Sequence, residues 1–205
     1  MLGFYVILLP VFLGFPTAIR ITLLLSLSWA FAYFLTNVAV GLKIVAPVPH
    51  AVALIYIPHG IQLLAAWAYG WRSVLYLLPI VTLVTCGHDD IWEHALTEIA
   101  VIWIFDLISA PLGIHAIRHI IANEQRFARL RLNWRVLVLG GLLATILNSG
   151  VMQMVHQPAY TLPGVLGGFL WLVVSDMAGL MVVLLSLMFL FRWARLLFHA
   201  QLRSS

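Results

Sequence analysis

Three ionisable side chains, His59, Asp106 and Asp176, lie inside stretches that are otherwise apolar. An imidazole and two carboxylates can exchange protons, pair with one another or hold a small polar ligand, and inside a membrane such groups mark function by default. His59 stands between Pro58 and Gly60 in the apolar run over residues 51–71. Proline withholds a backbone donor and glycine loosens the chain, so this run is expected to hold a broken helix. Carbonyls freed in hydrocarbon need partners, which places Pro58, His59 and Gly60 against protein or a water-filled cavity rather than lipid. A neutral His59 bonded to one of those carbonyls is the purely structural alternative. Asp176 also has two readings, a ligand group or an N-cap at the start of the final helix, where backbone donors and the dipole favour an anion. Asp106 lies about one turn before Pro111, deeper in its span, and capping explains it less well.

A second group, His88, Asp89, Asp90, Glu93 and His94, has the residue types of a metal site. On a helix Asp90 and His94 share a face, so His88, Asp90, Glu93 and His94 form a candidate ligand set. The pattern is neither HExxH nor a Cys/His cluster, and an acid-rich, hydrated helix start uses the same residues. Histidines on the outer face would also titrate in the range of a pH sensor. His115 and His119 are four apart on one helix, whereas bis-histidine haem needs facing helices, so both are expected to face the membrane interface. No Ser-His-Asp set with helical spacing, Gly-rich phosphate loop or catalytic carboxylate pair is found, and no enzymatic activity is expected. The sequence assigns no cofactor.

The elements that must position these groups follow from composition. Hydrophobic residues make up 63% of the chain and charged residues 9%, with a mean hydropathy of +1.06; soluble domains carry about a quarter charged residues. The expected fold is an all-α polytopic transmembrane bundle, a single domain over 1–205 with about six spans. A short apolar segment over residues 1–16, interfacial or partly inserted, precedes the bundle over 17–200. The spans are read at 17–42, 51–69, 74–86, from the polar island to about 121, 136–155 and 162–198. Gly70-Trp71-Arg72-Ser73 is a tight turn, Pro79 lies inside the third span, and Pro111 and Gly113 interrupt the fourth. Asn148-Ser149-Gly150 lies in the fifth span. Pro163, Gly164, Gly167 and Gly168 predict a loose start to the last span, with a firm helix from about residue 175.

The net charge of +4 does not imply a nucleic-acid partner, because the arginines cluster at span ends and form no basic face. Arg72, the cluster from Arg118 to Arg135, and Arg192, Arg195 and Arg203 mark cytoplasmic ends. Spans two, four and six then run inward and both termini are cytoplasmic, in a protein of the bacterial inner membrane. Trp71, Trp92, Trp134 and Trp193 fall near span ends, as interface anchors do. The lone Cys86 excludes an internal disulfide and any CxxC motif.

Tyr56-Ile57-Pro58-His59-Gly60 is followed by Ala65-Ala66 and Gly70-Trp71-Arg72, and later by Trp171 to Ser175 and Asp176-Met177-Ala178-Gly179-Leu180. In this order the chain resembles the MASE1 family of integral membrane sensory domains. There a Trp-Pro-x-x-Gly element opens a helix that ends near Gly-x-Arg, and Gly-Asp-x-x-Gly opens the last helix. Ile57 and Ser175 stand where the family has Trp and Gly. The resemblance extends from about the first span to the sixth. It implies a non-enzymatic sensory or ligand-binding domain that acts through a partner membrane protein such as a kinase or cyclase. With the chain ending at Ser205, a stand-alone input domain is expected. A substrate-binding membrane subunit of a small-molecule transporter, or an accessory subunit of a larger membrane complex, fits the same size and composition.

Overall fold

The computed structural model describes residues 16–41, 55–86, 96–122, 134–156 and 162–204. They are helical, in the order α1 (Thr17–Gly41), α2 (Ile57–Tyr69), α3 (Arg72–Cys86), α4 (Leu96–Ala122), α5 (Trp134–His156) and α6 (Leu162–Ser204). The N-terminal segment over 1–15 and the metal candidates His88, Asp90, Glu93 and His94 lie outside the described residues. Among the described residues, three helices carry segments long and apolar enough to cross a membrane, at Thr17–Val38, Trp134–Met154 and Val165–Leu196. That is fewer than the six expected. Helices α2 and α3 have 13 and 15 residues, short of the ~20 that a crossing needs. The outer surface carries many exposed large apolar side chains, among them Leu27, Phe31, Phe34, Leu75 and Leu83. A surface of this kind suits lipid, and the chain is a helical membrane protein.

Helix α2 is the central element, packing against each of the other five helices. On one side Leu63 and Ala66 join Ala110, Ile114, Leu137, Ala144 and Leu180 of α4, α5 and α6. On the other, Ala65 joins Trp29, Leu77, Val81 and Leu107 of α1, α3 and α4. Its placement corrects the expected mid-span break. The helix begins at Ile57, with Pro58 in its first turn, where the absent N–H would have had no intrahelical partner. Proline therefore starts this helix and frees no carbonyl within it.

Two further expectations are overturned for a related reason. Pro111 is buried inside a continuous α4 and does not interrupt it. One unbroken helix of 43 residues replaces the loose start predicted for the last span. Pro163 occupies its second position, where proline is tolerated, and Gly168 packs against Gln153 of α5. In hydrocarbon an unwound backbone would strand its polar groups, so helix persists through residues that punctuate soluble chains.

Small residues bring the helices close. A Cβ on Gly113 would overlap the Gly140 carbonyl and crowd Ala144, so α4 and α5 meet nearly backbone to backbone. Leu63 and Leu180 both close on Gly141. Tyr56, just before α2, and Gly60 within it meet Gly179 of α6, and Gly60 also meets Val183. Gln153 facing Gly168 and Leu180 facing Gly141 show that α6 runs antiparallel to α5. One residue back along α5 matches one forward along α6, so Arg135 falls level with Ser186. Beyond that level α6 continues for about 18 residues, or about 27 Å. Residues 188–196 are exposed at every position.

Between α2 and α3 the chain reverses at Gly70, which has φ 59° and ψ −135°. Gly70 N–H donates to the Ala66 carbonyl at 2.8 Å, and its own carbonyl accepts from Ser73 Oγ at 2.7 Å. Side chains avoid this backbone region, so Gly70→Ala is expected to cost about 1–3 kcal/mol although no atom would crowd its Cβ. A thermal unfolding comparison in detergent checks this. Stability equal to the parent chain would mean that the turn relaxes without loss.

Candidate functional site

The first turn of α2 delivers His59 into the centre of the bundle, where its side chain is 0% exposed. Its Nε2 lies 2.9 Å from Thr145 Oγ1 of α5, and its Nδ1 lies 3.8 Å from Asp176 Oδ2 of α6. The second distance brings two ionisable groups close but exceeds hydrogen-bond length. Asp176 is 5% exposed and lies well inside α6, which overturns its reading as an N-cap. An acidic side chain there has no helix-start donors, and its ionisable neighbour is the His59 imidazole.

One turn further along α2, Gln62 Nε2 donates to Asp106 Oδ2 of α4 at 2.9 Å. Asn148 of α5 approaches the other carboxylate oxygen, with Nδ2 at 3.5 Å. Asp106 is half-buried, Gln62 and Asn148 buried. Two layers result: His59 with Thr145 and Asp176, and beside it Asp106 held by two primary amides. Thr145 lies near the middle of α5, so the cluster lies at mid-depth in the bundle. Several of its buried polar atoms have no hydrogen-bond partner: His59 Nδ1, Gln62 Oε1, Asn148 Oδ1 and the neighbouring Ser149 Oγ. In most proteins such atoms are partnered by protein or water, so each calls for an explanation.

The backbone fixes this geometry. Tyr56 N–H donates to the Ser175 carbonyl at 3.1 Å, and the Tyr56 carbonyl rests on Gly179, where a Cβ would collide with it. The peptide before His59 is thereby clamped across the α6 turn that carries Asp176. At the opposite end of α2, Arg118 Nη2 donates to the Trp67 carbonyl at 2.7 Å and ties α4 to it.

Of the residues singled out from sequence, His59 and Asp176 come together, and Asp106 joins them through Gln62 without touching either. Pro58 and Gly60 are buried in the first turn of α2, with Gly60 packed on Val183. His115 and His119 are exposed on α4, with the His115 ring 6.5 Å from that of Trp71. Among the described residues no group of three or more His, Cys, Asp or Glu side chains is placed to hold a metal ion.

Sequence reading missed Gln62 and Thr145, and named Asn148 and Ser149 without weighing them as site residues. The signal was present, because His59 with Gln62 and Thr145 with Asn148 are each three apart, the spacing of one helix face.

The order hydroxyl, imidazole, carboxylate along Thr145, His59 and Asp176 is that of a nucleophile relay. Thr145 and His59 are each 0% exposed, however, and a nucleophile must meet its substrate. Thr145 Oγ1 partners His59 Nε2, while His59 Nδ1 keeps no hydrogen-bond partner, so the order is not carried through by hydrogen bonds. No family model, curated protein or solved structure matches the chain.

Proposed function

We propose that the chain is a non-enzymatic sensory or ligand-binding protein of the bacterial inner membrane, similar to MASE1 input domains. Both termini are cytoplasmic, and about six crossings require the bilayer to thin around the short α2 and α3. Arg72, Arg118 and Arg135 gather at the end of the bundle from which α6 projects, and basic residues favour the cytoplasmic side. The mid-depth cluster is the input site. The observation that carries this reading is the set of buried, unpartnered polar atoms around two carboxylates in an otherwise apolar bundle.

The output is the overhang of α6. Its bare surface includes Phe189, Leu190, Phe191, Trp193 and Leu196, and α6 also carries Asp176. A shift at the cluster is therefore transmitted along one rigid helix to a partner membrane protein, such as a kinase, a cyclase or a larger complex.

Affinity purification in mild detergent, with mass spectrometry of proteins and small molecules, tests the proposal. A signalling protein should co-purify with the full chain and be lost when residues 188–205 are removed, while the bundle keeps its thermal transition. Recovery of an energising ATPase module together with a bound solute would instead make the chain the substrate-binding subunit of a transporter. No partner with either form would leave α6 without an output role and overturn the proposal.

A further inference from the structure

Asp106 differs from Asp176 in its company. Asp176 has an imidazole beside it, whereas Asp106 makes its hydrogen bonds to two neutral amides, Gln62 and Asn148. Both amides turn N–H toward the carboxylate, which leaves Gln62 Oε1 and Asn148 Oδ1 unpartnered on side chains 1% and 8% exposed. Ser149, 1% exposed, adds an unpartnered hydroxyl one residue along α5. Apart from His59 Nδ1, the unmet atoms of the cluster are oxygens. A primary amide presents N–H₂ to an anion and, after a half-turn of its terminal torsion, C=O to a cation. The cluster holds two carboxyl groups against one imidazole, in surroundings that penalise unpaired charge. Asp106 is also the more accessible of the two carboxylates.

We propose that Asp106, Gln62, Asn148 and Ser149 form a binding site for a small monovalent alkali cation of the sodium type. Oxygen-only donors suit a hard cation. A calcium ion would demand about six to eight oxygens and a magnesium ion near-ideal octahedral geometry, more than these four side chains supply. Carboxylate, amide carbonyl and hydroxyl oxygens are the donor types such an ion takes, with Asp106 supplying the charge. Binding turns the two amides over, draws α2, α4 and α5 together at this level, and settles the charge of the layer next to His59 and Asp176. The inference rests on the cluster being the input site and adds the ion as what it takes up, alone or with a second ligand.

The test uses the full chain purified in detergent and exchanged into choline chloride. Sodium, lithium, potassium or choline is added at constant ionic strength and pH, with thermal unfolding followed by tryptophan fluorescence and binding by radioactive sodium. Sodium should raise the transition saturably while choline leaves it unmoved. Asp106→Asn should abolish saturable binding. Should that variant fail to fold, Asn148→Ala serves in its place and should weaken binding about tenfold. A response equal for choline and sodium, or one undiminished in both variants, overturns the cation site. So does a transition that follows pH alone, set by His59, Asp106, Asp176 and the nearby Tyr56. If sodium has no effect but a partner or small molecule still co-purifies, the ion inference fails and the input-site reading survives. If neither is found, both fail.

Discussion

Replacing His59 with leucine is expected to destabilise the bundle by about 2–4 kcal/mol, because two buried polar groups lose the side chain beside them. Two losses contribute and their sizes differ. The bond between Nε2 and Thr145 Oγ1 is of a kind that measures about 0.6 kcal/mol on average and at most about 1.7 inside membrane proteins. Thr145→Val isolates that part and should cost no more than this. The remainder comes from Asp176, 5% exposed, whose ionisable neighbour at 3.8 Å disappears. A loss well above the hydrogen-bond range therefore reports the carboxylate rather than the hydroxyl. The double variant His59→Leu with Asp176→Leu removes charge and partner together, and should be less destabilised than the two single changes added, by about 1–3 kcal/mol. Reversible unfolding in mixed micelles measures all four species. Strict additivity would show that Asp176 is neutralised by something other than His59, and the pairing at the centre of the input site would have to be abandoned.

What the sequence revealed about this cluster divides along a physical line. His59, Asp106 and Asp176 were legible because a charge in hydrocarbon is costly wherever the chain puts it. That argument needs no knowledge of packing. Gln62, Thr145 and Asn148 carry no charge, and polar neutral residues occur in membrane helices for many reasons. Only the coincidence of their three-residue spacings with the depth of Asp106 distinguishes them, and depth is set by how α2, α4 and α5 cross. The helix bounds show the same division. Thr17–Gly41 and Trp134–His156 lie close to the expected spans because their apolar runs are flanked by polar or turn-forming residues. The 13-residue α2 and the unbroken α6 were misread because proline and glycine were given the meaning they have in water. Pro58 begins a helix, Pro111 and Gly168 lie within helices, and Asp176 loses its capping explanation as soon as α6 extends back to Leu162.

Gly179→Ala and Gly167→Ala, two like changes in the same helix, are expected to act with opposite sign. Alanine is favoured over glycine in a helix interior by about 1 kcal/mol, and at Gly167 no atom lies within 4 Å of the added methyl. That variant should gain up to about 1 kcal/mol if its surroundings stay open. At Gly179 the methyl would overlap the Tyr56 carbonyl and lie 2.9 Å from Ile57 N. These are backbone atoms that cannot swing aside as a side-chain tip would. Overpacking costs about 1–3 kcal/mol when side chains can adjust; here the start of α2 itself must withdraw, and a loss of about 3 kcal/mol or more is expected. Withdrawal also breaks the 3.1 Å bond from Tyr56 N–H to the Ser175 carbonyl and moves His59 off Asp176. The variant should therefore lose its sodium response as well as stability, whereas Gly167→Ala keeps the response. Thermal transitions of the two proteins in the same detergent, with and without sodium, decide the matter. Equal shifts of the same sign would mean that α2 does not lean on α6 through this one turn, and His59 would need another explanation for its burial.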